Sequence, residues 1–212
     1  MIIDRIGGII WDWNGTLLND TDLCVQIINE MLDKRRLPLL SVNDYKDVFS
    51  FPVKDYYLKI GFNFETEPFE IPALEFIDRY NQLVDSCSLH LGSIKVLNHF
   101  KAMGSRQFVL SAMKQDYLDD CLKYQQINHF FEYISGLNDH YAVSKIENGH
   151  RLIADLKLDV SELVLIGDTV HDFEVATELG CQCVLIANGH QSKKVLLATG
   201  VSVIDRLEQL LE

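Results

Sequence analysis

No apolar stretch in this 212-residue chain approaches the roughly 20 residues that span a bilayer. Asp4 and Arg5 stand where the apolar segment of a signal peptide would begin, so a cytoplasmic location is expected. Positive charge is scarce: 19 Lys and Arg face 31 Asp and Glu, a net charge of −12. Such a surface repels nucleic acid and anionic membranes, which are bound first through their phosphates, and neither is expected as a partner. An anionic substrate would need positive charge concentrated at its own site. A paired cysteine framework is also missing. The five cysteines, Cys24, Cys87, Cys121, Cys181 and Cys183, are an odd number that suits a reducing compartment. Cys181 and Cys183 form a C-x-C, but no second pair stands at zinc-ligand spacing, and both read as small buried hydrophobes. Internal repeats and low-complexity tracts are absent.

What remains is an ordinary globular composition, 48% hydrophobic and 24% charged, with length for one sizeable core and a small second domain. The C-terminal part alternates apolar runs with amphipathic ones. Strands are predicted at 107–111, 131–136, 162–168, 181–189 and 201–204, and helices at 116–127, 145–158, 171–180 and near 192–198, with a last helix at the end. This alternation predicts an α/β fold with right-handed crossovers and a parallel sheet covered on both faces. Residues 18–88 hold helical stretches at 21–35 and 71–87 without a convincing strand. They read as a helical cap inserted into an α/β core formed by 1–17 and 89–212. Either a monomer or a homodimer fits.

In open parallel sheets, ligands bind at the carboxyl ends of the strands. The apolar run Ile9-Ile10-Trp11 stops on Asp12, with Asn14 two places later; another strand ends at Ser111 and another at Asp168, with Asp172 beyond. Lys145 opens a helix, an unfavourable place for a lysine unless it has other work. Three converging carboxylates, Asp12, Asp168 and Asp172, raise one another's pKa, and a hard cation such as Mg2+ relieves this. With Lys145 and Ser111 nearby, the edge suits the meeting of a carboxylate and a phosphate.

Taken in order, "WDWNGTL", "LSA", Lys145 and "GDTVHD" resemble the four motifs of the haloacid dehalogenase (HAD) superfamily. The resemblance covers the whole chain, and the position of the cap is similar to that in the phosphoglycolate phosphatase-like branch. It implies a Rossmann-like parallel sheet core with a small α-helical cap, and a Mg2+-dependent phosphatase acting on a small phosphorylated metabolite. It implies Asp12 as nucleophile and metal ligand, the Asn14 backbone carbonyl as a second ligand, and Asp168 completing the metal site. Asp172 would bind the metal through water or orient Lys145. Ser111, with Ala112 beside it, would hold the phosphoryl group while Lys145 steadies it. His190, at a strand end, is a candidate substrate contact.

The departure is Asn14. Phosphatases of this superfamily usually carry an aspartate there, which protonates the leaving alkoxide and then activates water; an amide exchanges no proton at neutral pH. Four readings stay open. Another group, such as His190, supplies the proton; or the leaving group is an acyl or aryl oxide that needs none. The chain binds phosphate without turnover; or it is a metal-free dehalogenase. Elsewhere, His171 reads as a surface residue on the first turn of its helix and His140 as a loop residue. Phe49, Phe51, Tyr56 and Tyr57 read as cap core, with one or two at the substrate entrance. Lys34, Arg35 and Arg36 read as a solvated helix end.

Overall fold

The computed structural model describes residues 6–137 and 145–212; His140 lies outside them. Among the described residues six strands form one sheet: β1 (Gly8–Trp11), β4 (Arg106–Lys114), β5 (Tyr133–Leu137), β6 (Leu163–Gly167), β7 (Gln182–Ile186) and β8 (Ser202–Ile204), in the order β5-β4-β1-β6-β7-β8. Every neighbouring pair in it is parallel. All four residues of β1 are buried because β4 and β6 flank it and helices cover both faces, which is why its sequence does not alternate. Ile10 joins the core on one face of the sheet, and Ile9 and Trp11 the larger one on the other. Cys181 and Cys183 are free thiols against the smaller of these cores.

Along the chain, four helices come between β1 and β4: α1 (Thr21–Lys34), α2 (Val42–Val48), α3 (Val53–Lys59) and α4 (Glu70–Leu83). At their base, β2 (Leu18–Asn19) and β3 (Ser88–Leu89) pair antiparallel and bring the two chain crossings together. The sequence read neither α2 nor α3 as a helix, because each is only seven residues long. A capping box between Ser41 and Asp44 opens α2. Arg35 is not solvated: its guanidinium bonds Glu67 and Glu75.

The core then adds α5 (Ser93–Ala102), α6 (Gln115–Tyr124), α7 (Lys145–Leu156), α8 (Val170–Leu179) and α9 (Lys193–Leu197). The last predicted helix is a 3₁₀ turn, Leu207–Leu211. Gly180 stops α8 in the left-handed conformation at φ 75°. Strand β4 runs past the predicted end at Ser111 to Lys114, and its register with β5 breaks between Leu110 and Lys114. Among the described residues, no helix is long and apolar enough to cross a membrane.

Candidate active site

Parallel registry puts the ends of β1 and β6 side by side, Trp11 opposite Ile166, so Asp12 and Asp168 leave the same sheet edge. Asp172 arrives on the first turn of α8, where Thr169 caps the helix and Asp172 bonds back to it. One carboxylate oxygen from each of Asp12, Asp168 and Asp172 lies within 4.8 Å of the other two, and all three residues are buried. Lys145 bridges two of them, at 2.5 Å from Asp12 Oδ1 and 2.6 Å from Asp172 Oδ1. The other oxygen of Asp172 is fully engaged: it accepts from the Asp168 and Thr169 backbone N–H groups and from the Thr169 hydroxyl. The Thr16 hydroxyl stands 3.3 Å from Asp12 Oδ2 and 3.0 Å from Asp168 Oδ1.

Two glycines make room for Asp168. A Cβ on Gly15, which has φ 71°, would meet Asp168 Oδ2 at 2.3 Å, and one on Gly189 would meet it at 2.2 Å. No side chain fits either place, so the tight approach is a requirement of the site.

Three carboxylates against one ammonium leave two formal negative charges in a buried space. Burial pushes Asp12 up to about 8; Asp172 and Asp168 add to this, and Lys145 opposes it. Burial likewise raises Asp168 to about 6, with Asp172 adding and His190 opposing. For Asp172, Lys145 and Thr169 outweigh burial and hold it below the usual carboxylate range. Buried oxygen donors short of two positive charges fit one hard divalent cation.

Asn14 has partners that its sequence position did not announce. Its amide donates to Asp20 Oδ2 at 2.9 Å and to the Tyr80 hydroxyl at 2.7 Å. Tyr80 donates to the same Asp20 oxygen at 2.6 Å, and the Gly15 N–H to the other at 2.8 Å. His190 Nε2 lies 3.2 Å from Asp20 Oδ1, and its Nδ1 is 3.0 Å from the Tyr45 hydroxyl. Burial would lower the His190 imidazole, but the Asp20 carboxylate outweighs it and holds it up at about 9. Against burial, His190, Tyr80 and Asn14 hold Asp20 down at about 2. Sequence reading missed Asp20, Tyr45 and Tyr80. Asp20 stands at the N-cap of α1, yet its side chain makes no capping bond and turns back to Asn14 and His190 instead. An aspartate at a helix start reads as a cap, and that ordinary role hid it.

The other expected residues are placed as follows. Ser111 is fully buried, and its Oγ accepts the Met113 N–H at 3.0 Å. Ala112 lines the cavity above the carboxylates, as do Asn14, Lys145 and His190. His171 is half-buried rather than a surface residue: it lines the same cavity with its ring 4.9 Å from that of Phe51. Phe49, Phe51, Tyr56 and Tyr57 all line it too, so Tyr56 and Tyr57, both buried, serve as cap core and cavity wall at once.

A parallel sheet whose strand ends gather buried carboxylates around a lysine, beneath a helical insertion, defines an α/β protein with a buried acidic site at that edge. The chain belongs to the haloacid dehalogenase-like hydrolase family, whose sequence pattern it matches over residues 9–186. It is 28% identical over 195 residues to a phosphoglycolate phosphatase from Caulobacter vibrioides, covering 88% of this chain and 81% of that one. A haloacid dehalogenase-like protein from Streptococcus pneumoniae superposes with a TM-score of 0.75 at 19% identity, over 98% of this chain and 97% of the other. Protein tyrosine kinase A from Mycobacterium tuberculosis superposes at 0.81 with 21% identity, over 98% and 97%. Likeness at that level establishes the fold and not the reaction.

Proposed function

We propose that the chain is a Mg2+-dependent phosphatase that hydrolyses a small phosphorylated molecule through an aspartyl-phosphate on Asp12. The observation that carries this reading is the buried trio Asp12, Asp168 and Asp172 with Lys145 bridging two of its members. The 28% identity to a phosphoglycolate phosphatase supports it. An intact nucleophile, lysine and carboxylate set is not what a protein that merely stores phosphate needs. The surplus of negative charge argues against a metal-free dehalogenase.

Asp12, Asp168 and the Asn14 backbone carbonyl would hold the magnesium ion. When bound, it supplies positive charge that lowers the repulsion between carboxylate and phosphate and stabilises the transferring group. Asp12 attacks phosphorus with one carboxylate oxygen, and the ester oxygen departs with the bonding electrons. Lys145, positioned by Asp172, neutralises charge on Asp12 and on the phosphoryl oxygens. Asp172 accepts Lys145 on one oxygen and three donors on the other, which supports a role in orienting Lys145. Ala112, at the irregular end of β4, lines the cavity, and the buried Ser111 hydroxyl beside it would donate to the phosphoryl group. Water then hydrolyses the aspartyl-phosphate, returning Asp12 and releasing inorganic phosphate.

The test is a phosphatase assay over a metabolite panel, with and without Mg2+ and with excess EDTA. Activity is expected only with the metal. Asp12→Asn should abolish turnover while the protein stays folded by circular dichroism, and trapped phosphate in the wild type should map to Asp12 by mass spectrometry. Full activity in EDTA, or label on another residue, would refute the reading.

A further inference from the structure

Resting on the phosphatase reading, we infer that the substrate is an aryl phosphate monoester whose leaving group carries no second anionic charge. The cavity over Asp12 and Lys145 has a volume of about 470 Å3. This lies in the range of sites that enclose drug-sized ligands, and a two-carbon leaving group such as glycolate would leave most of it unfilled.

Its walls are chemically one-sided. From His190 at the catalytic edge the rings of Phe49, Tyr45 and Tyr56 follow in contact: Phe49 lies 5.4 Å from His190, 5.2 Å from Tyr45 and 5.2 Å from Tyr56. Such an array offers an entering ring the edge and offset contacts that aromatic pairs prefer. None of the lysines and arginines between residues 20 and 88 is among the described residues of the lining. Several are committed elsewhere: Arg35 to Glu67 and Glu75, Lys34 to Glu75, and Arg79 to Glu30. On the sheet side Lys145 is held by Asp12 and Asp172, and Lys114 is 3.3 Å from Asp116. A leaving-group carboxylate would therefore enter a largely apolar chamber whose described cations are already paired, Lys145 with Asp12 and Asp172, His190 with Asp20 and Lys114 with Asp116.

Asn14 points the same way independently. Its amide has no proton to give, and both its hydrogens are used by Asp20 and Tyr80. A phenol has a pKa of about 10, so its oxide leaves without protonation far more readily than an alkoxide. The steps balance: Asp12 oxygen bonds phosphorus as the P–O(aryl) bond breaks, and the aryloxide leaves with the electron pair. Water then cleaves the aspartyl-phosphate to phosphate, and its proton ends on the phenol.

The test compares kcat/KM, with Mg2+, for 1-naphthyl phosphate, 4-carboxyphenyl phosphate, 2-naphthylmethyl phosphate and phosphoglycolate. Naphthyl phosphate is expected to exceed the carboxyphenyl ester and phosphoglycolate by on the order of 10²-fold, the range seen when a site leaves a polar group unpaired. The naphthylmethyl ester, apolar but with an alkoxide leaving group, should bind as well and turn over more slowly. Phosphoglycolate or carboxyphenyl phosphate equal to or better than naphthyl phosphate would overturn the inference. If no ester is hydrolysed, the phosphatase reading fails separately, and calorimetry on Asp12→Asn decides the ligand class. Naphthyl phosphate binding at least about tenfold tighter than its carboxyphenyl counterpart would sustain the aryl site, and equal affinities would overturn it.

Discussion

Asn14 holds a position that two different forces act upon. As an amide it donates to Asp20 and to Tyr80, which in turn donates to Asp20, so it satisfies a buried acceptor. Asn14→Asp replaces that donor by an acceptor beside a carboxylate that is already ionised. The new carboxyl therefore titrates above the usual value of about 3.9. A carboxyl raised in the folded state costs no stability below its unfolded pKa and progressively more as the pH rises through its folded one. The variant is expected to match the wild type in thermal melts near pH 4 and to lose about 1–3 kcal/mol at neutral pH and above. In the window where it remains protonated it should speed hydrolysis of alkyl phosphates by roughly one to three orders of magnitude, and of aryl phosphates much less. A uniform fall in rate across leaving groups would show that the Asn14 amide itself contacts substrate.

Helix α8 does two jobs with one motif. The capping box that starts it joins Thr169 and Asp172 in both directions, and the same Asp172 aims Lys145 at Asp12. Thr169→Ala removes the cap and one of the bonds fixing Asp172. It should cost about 1 kcal/mol in denaturant melts. It should also lower kcat more than it raises KM, because a loosened Lys145 acts on the transferring group rather than on binding. Thr169→Ser keeps the hydroxyl and should restore both. A loss of stability with kcat unchanged would mean that Asp172 needs no help from Thr169 to hold Lys145.

The cap is joined to the sheet edge by buried polar contacts as well as by rings. Tyr45 on α2 bonds His190 on the sheet side, and Asp20 pairs with the same imidazole. His190 is held up at about 9 in the folded protein against 6.5 ordinarily. That contribution to stability is fully present below about 6.5 and is lost as the pH rises through about 9. Asp20, held down at about 2 against 3.8, contributes above 3.8 and fails only as the pH falls towards 2. The pair is at full strength between about pH 4 and 6.5. Thermal melts of the wild type should therefore decline between pH 6.5 and 9, by up to about 3 kcal/mol for a buried group shifted this far. His190→Gln should be less stable at pH 6 and show a flatter profile; an equally steep decline would assign the pH dependence to other groups.

The parallel sheet, the helical insertion after β1 and the carboxylates at the strand ends were legible in the chain itself. Long apolar runs buried on both faces, and polar residues that halt them, follow from backbone and burial constraints acting locally. Thus Asp12, Asp168 and Lys145 could be named as candidates for one sheet edge, where the structure brings them together. Short helices such as α2 and α3 carried too few turns to show a period. Tertiary structure alone decided the partners of Asn14. Asp20, Tyr80, His190 and Tyr45 are separated along the chain by up to 170 residues, from Asp20 to His190, and meet only in the folded chain. Tertiary structure also decided the character of the cavity. Phe49, Phe51, Tyr56 and Tyr57 read from sequence as cap core with one or two at the substrate entrance, and which of them face a chamber depends on what stands opposite each. Hydrophobic burial selects the residue type at both places and does not distinguish them; only the spacing between cap and sheet does.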